Sequence, residues 1–262
     1  MLRSLFTSAT GLSAQQMSLD VVANNLANAS TTGFKKSRAN FEDLVYQTIR
    51  EPGSQTGTNS SLPTGAQIGL GVTAGTTTTL NTQGTISNTG RATDLAINGD
   101  GYFKILLPDG TTGYTRAGSF NVDSTGKLVT SQGFAVQPDI SIPANKKTLS
   151  ISEDGSVTVT LPGQSAEQKV GQLTLAKFLN PEGLKAIGNN LFEQTSASGT
   201  PTEGNPGTSG LGILIPQSLE ASNVDVVEEI VRMIILQRAY DSNSKVIQAA
   251  DEMLSTTNGI KR

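Results

Sequence analysis

Two stretches of helical length, at opposite ends of the chain, carry the same apolar seam, and the long middle between them carries none. Near the start, positions 2, 5, 9, 12, 16, 19, 23 and 26 hold Leu2, Leu5, Ala9, Leu12, Gln16, Leu19, Ala23 and Leu26. Steps of three and four with one polar member are the pattern of a helix wound against neighbours. The run Asn28-Ala29-Ser30-Thr31-Thr32-Gly33 should end it, because its side chains compete for backbone and Gly33 can take positive φ. A second track runs Val226, Ile230, Met233, Gln237, Tyr240, Ser244, Ile247, Asp251 and Leu254. Ser222 is its candidate N-cap, with Asp225 three positions on and Glu228 and Glu229 at the positive end of the helix. Asn258-Gly259 offers a stop.

At 1.5 Å per residue these helices would be roughly 40 and 55 Å long. One narrow stripe of burial on each is a weak return for ordering so many residues. Sister copies covering further stripes would supply the difference; a simple intramolecular pair packed on the rest of the chain is the other reading. The candidate interface residues are Leu5, Leu12, Leu19, Leu26, Val226, Ile230, Met233, Tyr240, Ile247 and Leu254. Asn24, Asn25 and Asn28 either make amide hydrogen bonds across subunits or terminate the helix. Arg238, beside Tyr240, either bridges a neighbour's carboxylates or sits in an exposed helix pair.

The middle reads differently. Residues 34–71 form a connector: Phe34, Phe41, Leu44, Val45 and Tyr46 are anchors, and Arg50, Pro52 and Gly53 open a Ser/Thr/Gly/Asn-rich stretch. A long loop or extended arm is expected there. From 72 to 220 short apolar runs such as Tyr102–Leu107 are bounded by turns at Asn98-Gly99, Pro108-Asp109-Gly110 and Asp154-Gly155. Val157 and Val159 alternate with polar neighbours, and no helical period interrupts the run, which disfavours a parallel sheet. The expected fold class is α+β. Residues 1–33 and 221–262 would be terminal helices paired as a coiled-coil-like domain, 34–71 a connector arm, and 72–220 a central antiparallel β domain.

Composition narrows the chemistry. His and Cys are both absent from the 262 residues, which removes imidazole bases, thiolate nucleophiles, disulfides and the usual transition-metal ligands. Lack of Cys also suits a chain that crosses redox compartments unfolded, although chance explains it equally. A net charge of −3 with no dense Lys/Arg cluster predicts no nucleic-acid partner. Apolar runs are too short to span a bilayer, and the start lacks the apolar region of a cleaved signal. There is no Gly-x-Ser-x-Gly elbow, Walker loop or EF-hand spacing. No cofactor, metal or catalytic residue is expected.

Val21-Val22-Ala23-Asn24-Asn25-Leu26-Ala27-Asn28 followed by Thr32-Gly33-Phe34-Lys35 resembles the signature of the flagellar rod and hook axial proteins. Ser222-Asn223-Val224-Asp225, Gln237-Arg238-Ala239-Tyr240 and Asp251-Glu252-Met253-Leu254 continue the likeness. Ala96–Phe103 and Tyr114-Thr115-Arg116-Ala117-Gly118-Ser119-Phe120 are similar to the family's β domain. Phe41–Gly53, with the polar arm through Leu62-Pro63-Thr64-Gly65, is similar to the distal-rod branch. The length is also short for a hook subunit, which carries an extra outer domain. The resemblance implies a non-enzymatic structural subunit, exported unfolded by the flagellar type III apparatus without a cleaved signal peptide. It implies self-assembly into a rigid helical tube of the basal body, spanning the periplasm to the outer-membrane ring region, with a central channel. Terminal helices would line the inner tube and the connector arm would lock adjacent subunits. The implied partners are further copies, proximal rod proteins, the hook protein and the P-ring and L-ring proteins. Two alternatives stand beside it: a proximal rod or hook subunit of the same family, and a secreted β-rich adhesin or wall hydrolase.

Overall fold

A computed structural model describes residues 2–53, 55–57, 60–61, 63–163 and 166–260. Leu62 lies outside the described residues, as do the side chains of Leu2 and Asn258. The fold is α+β, and the chain divides into two compact units. One comprises Met1–Ala27, Ser37–Thr78 and Asp225–Arg262; the other comprises Asn28–Lys36 and Thr79–Val224.

The first unit is built on helices α1 (Leu2–Ala27) and α2 (Val226–Ile260). Asn25 of α1 meets Glu229 of α2, and Gly11 lies against Asn243, so the two run antiparallel. The expected N-cap shifts by three residues. Asp225 Oδ1 accepts the backbone N–H groups of Val227 and Glu228, whereas Ser222 Oγ accepts that of Val224. A carboxylate at the cap adds a favourable charge at the positive helix end, which a hydroxyl does not. At the other end α2 continues to Ile260, past the expected stop at Asn258-Gly259. A glycine there costs the helix about 1 kcal/mol but does not oblige it to end.

Of the two readings of the connector, the described residues take the extended one: Ser37–Asp43 pairs with Val72–Thr79, and Tyr46–Arg50 pairs antiparallel with Ala66–Gly69. The polar composition suggested a loop, but Thr-rich Val72–Thr79 and the Tyr46–Arg50 segment are good strand formers once each has a partner. The β structure expected from 72 onward therefore begins earlier, and the Val72–Thr79 strand belongs to the helical unit.

The second unit is the antiparallel β domain. Its main sheet runs Lys185–Gly188, Leu191–Glu193, Thr112–Thr115, Tyr102–Leu106, Leu175–Lys177, Thr202–Gly204, and a meander of Thr148–Ile151, Ser156–Thr160 and Gln168–Gln172 stands beside it. Turns fall where the sequence placed them. Asp109 accepts the Thr111 N–H between Tyr102–Leu106 and Thr112–Thr115, and Asp154 does the same for Ser156. Val157 and Val159 point inward with Phe103, Ile105, Phe120, Leu175 and Leu214 into one dry core. Tyr102, Tyr114, Phe178 and Phe192 form a second cluster of edge-to-face rings.

Candidate assembly surface

Small residues stand beside the leucine seam on the covered face of the α1–α2 pair. On α1 the buried side chains are Ala14, Val22 and Asn25, with Gly11 and Ser18 half-buried; on α2 they are Glu229 and Ala250, with Leu236, Ala239 and Asn243 half-buried. Half of these are Gly, Ala or Ser, which lets the axes come close. A side chain at Gly11 would stand 3.2 Å from the Asn243 amide nitrogen.

Leu5, Leu12, Leu19 and Leu26 are half-buried, while Ala9, Gln16 and Ala23 face outward. On α2, Met233, Ile247 and Leu254 are half-buried, and Val226, Ile230 and Tyr240 are exposed. The largest exposed aliphatics fall outside the three-four track altogether. Val227 is 72% exposed and Ile235 62%, with Val231 and Ile234 also outward. A readable signal was present: eight of the eleven residues of Val226–Leu236 are apolar, a wider arc than one stripe. A heptad count keeps one stripe and discards the rest.

Asn25 needs correction as an intersubunit residue. It is 1% exposed, donates to the Ser37 carbonyl at 2.9 Å and accepts the Ser37 N–H at 2.9 Å. Its amide also donates to Glu229 Oε2 at 3.3 Å. Both ends of the amide are thus used inside the chain, tying the C-terminal turn of α1 to the Ser37–Asp43 strand and to the first turn of α2. Asn24 is exposed and engaged in an interaction of its own. Neither Ser37 nor Glu229 had marked itself as Asn25's partner in the sequence, because each lies far from it along the chain. Arg232 reaches Glu228 at 2.9 Å in an exposed i,i+4 pair and approaches the buried Glu229 carboxylate at 3.8 Å.

On the ribbon, Val45, Tyr46, Ile49 and Ile68 are exposed, and so is Arg50. The Tyr46 hydroxyl, hydrogen-bonded to Asp43, has its pKa raised by that carboxylate. Pro52 and Gly53 occupy the turn after Arg50, Gly53 with φ of 82°.

The β unit carries a buried charge cluster. Glu220 accepts from Arg116 Nε at 2.8 Å, from the Lys35 ammonium, and from the Gly84 N–H at 2.9 Å. Burial alone would raise the Glu220 carboxyl. The Arg116 charge, the Lys35 and Arg116 hydrogen bonds and the Gly84 N–H outweigh it and hold the pKa below the ordinary glutamate value. Lys35 is pulled down by burial, with Glu220 opposing. These two directions differ on who wins the pair. The carboxylate, facing two cations, is the firmly ionised member. A nearby cavity of about 160 Å³ is lined by Lys35, Tyr102, Arg116, Lys177 and Leu179, but its cations are already matched, Lys177 by Asp100 at 2.8 Å.

Comparison with known proteins gives this arrangement a context. The family described as flagella basal body rod protein matches residues 5–35, the flagellar hook protein FlgE/F/G D1 domain matches 96–159, and the flagellar basal body rod FlgEFG protein C-terminal family matches 215–260. The chain is 49% identical to the flagellar basal-body rod protein FlgG of Buchnera aphidicola subsp. Acyrthosiphon pisum, covering 97% of this chain and 98% of that one. It is 50% identical to that of Caulobacter vibrioides over 99% of this chain and all of the other, and 44% identical to that of Bacillus subtilis over the full length of both. The chain belongs to the flagellar basal-body rod protein family.

Proposed function

We propose that this protein is a non-enzymatic structural subunit of the distal rod, polymerising with copies of itself into a stiff helical tube around an export channel. Full-length similarity to rod proteins supports the role. The observation that carries the self-assembly is the outward aliphatic surface of Val227, Val231, Ile234 and Ile235. A monomer leaves such a patch in water only at a penalty of about 25 cal/mol for each Å². Leu5, Leu12, Leu19, Leu26, Val226, Ile230, Met233, Tyr240, Ile247 and Leu254 join that surface in the proposed subunit contact.

The connector ribbon acts as a lock between neighbours. Two strands alone are marginal in water, and the exposed Val45, Tyr46, Ile49 and Ile68 give a sister copy something to hold. In this reading the tube joins proximal rod proteins to the hook protein, turns within the P and L rings, and transmits torque from the motor. Subunits reach it through the type III export apparatus.

The test is polymerisation of Ile234→Asp at high concentration, followed by electron microscopy and sedimentation. Tubes from wild type and only monomer from the variant are expected, with the β unit folded in both. Normal tubes from Ile234→Asp and Val231→Asp alike would remove this surface from the assembly.

A further inference from the structure

The chain reaches the β unit at Gly33–Lys36, returns to it at Leu80–Thr85, and leaves it through Ser218–Asn223, and these three stretches are bonded to one another. Gly33 N–H donates to the Glu220 carbonyl at 2.8 Å, and Ala221 N–H to the Thr85 carbonyl at 2.8 Å. Asn223 accepts the Lys36 N–H at 2.7 Å and donates to the Leu80 carbonyl at 2.8 Å. Beneath this junction sit Lys35, Arg116 and Glu220, at 4%, 6% and 1% exposure. Arg116 also donates to the carbonyls of Gly101 and Gly99, and Lys35 to that of Thr82. Each cationic group therefore has acceptors from the early part of the unit, but the carboxylate comes from its far end.

The same late segment completes the sheets. Ile213–Pro216 pairs with Leu95–Asn98, whose Leu95, Ala96 and Ile97 are fully buried, and Ser218–Glu220 pairs with Ile86–Asn88. Leu211 and Leu214 fill the core. Gly84 has to be glycine for this closure, since a side chain there would collide with the Ala221 carbonyl.

We infer that residues 211–223 are the closing element of the β unit, with Glu220 as its latch: the unit does not fold until this segment arrives. Before then Lys35 and Arg116 face each other without an anion, and an unneutralised buried charge is far more expensive than a missing contact. Leu95–Asn98 and Ile86–Asn88 also lack the partners that satisfy their backbone. Chains are made from the N-terminus, so closure waits until nearly all of the polypeptide except α2 is available. This keeps the β unit open late in synthesis, a property separate from the tube it builds.

Two measurements on the full chain decide it. In pulse-labelled refolding, the amides of Phe103 and Tyr114 should become protected in the same phase as that of Leu214; protection at least ten times earlier, with 213–220 still open, overturns the proposal. In native-state exchange, Glu220→Gln should lower protection throughout the β unit by tenfold or more, up to complete unfolding, while Glu203→Gln, in an exposed pair with Lys104, should leave it unchanged. A loss confined to residues 33–36 and 82–85, or no loss, makes Glu220 a local clasp and overturns the latch.

Discussion

The two units dispose of their apolar side chains in opposite ways. In the β unit Phe103, Ile105, Phe120, Val157 and Leu175 are shut away from water in one core. In the helical unit the small residues face inward, while Val227, Val231, Ile234 and Ile235 stand in solvent. One region encloses its core within a single chain; the other, a long helix pair with a two-stranded ribbon, leaves large aliphatic side chains exposed. For a building block this division is useful. In the proposed tube the enclosed domain would keep its shape before assembly, and the exposed aliphatic surface would supply the driving force for it.

The sharpest way to break this contrast is a pair of substitutions. Phe103→Ala should destabilise the β unit by about 3–5 kcal/mol, through lost burial and a cavity, as read by urea unfolding. Ile230→Asp or Leu12→Asp should abolish polymerisation while leaving urea unfolding of the β unit unchanged; equal damage to both would erase the distinction. Asn25→Ala comes next. It strands the Ser37 backbone groups and the buried Glu229 carboxylate, so the helical unit should lose about 2–3 kcal/mol while the β unit keeps its midpoint.

Acid separates the regions through Glu220. Its folded pKa lies below its unfolded value, so its contribution is fully present above the ordinary glutamate range near 4.5 and is lost as pH falls through the depressed folded value. Unfolding of the β unit should therefore steepen below about pH 4.5, and Glu220→Gln should flatten that slope. A profile unchanged by the substitution would remove Glu220 as its source. The smallest effect belongs to Lys185→Ala, whose exposed pair with Glu193 should contribute no more than about 0.5 kcal/mol to the thermal stability of the β unit. Amide exchange in dilute solution should meanwhile find α1 and α2 less protected than Phe103 or Val157. Strong protection of both helices in a monomer would mean that the pair is self-sufficient.

Much of this was legible along the chain. Helices at both ends, turns at Pro108-Asp109-Gly110 and Asp154-Gly155, and the inward Val157 and Val159 rest on the preferences of adjacent residues. Gly33 takes φ of 70°, and a side chain there would come within 2.8 Å of the Ala117 backbone nitrogen. The strand pairing of the ribbon is not legible because its residues are polar, and a two-stranded pairing depends on a partner elsewhere along the chain rather than on composition. Asn25 was ambiguous for the same reason: an amide can bond within or between chains, and only its distant partners decide.

Local order, then, was written into the residues: which segments are helical, where strands turn, and which chemistry a chain without His or Cys cannot perform. Three-dimensional packing decided the rest. It set Gly11, Ala14 and Ser18 beside the half-buried leucines on the covered face of α1, where small side chains let the helix axes approach. It also brought Lys35, Arg116 and Glu220 together from three remote parts of the chain, since a buried charge is tolerable only where folding delivers its counter-ion.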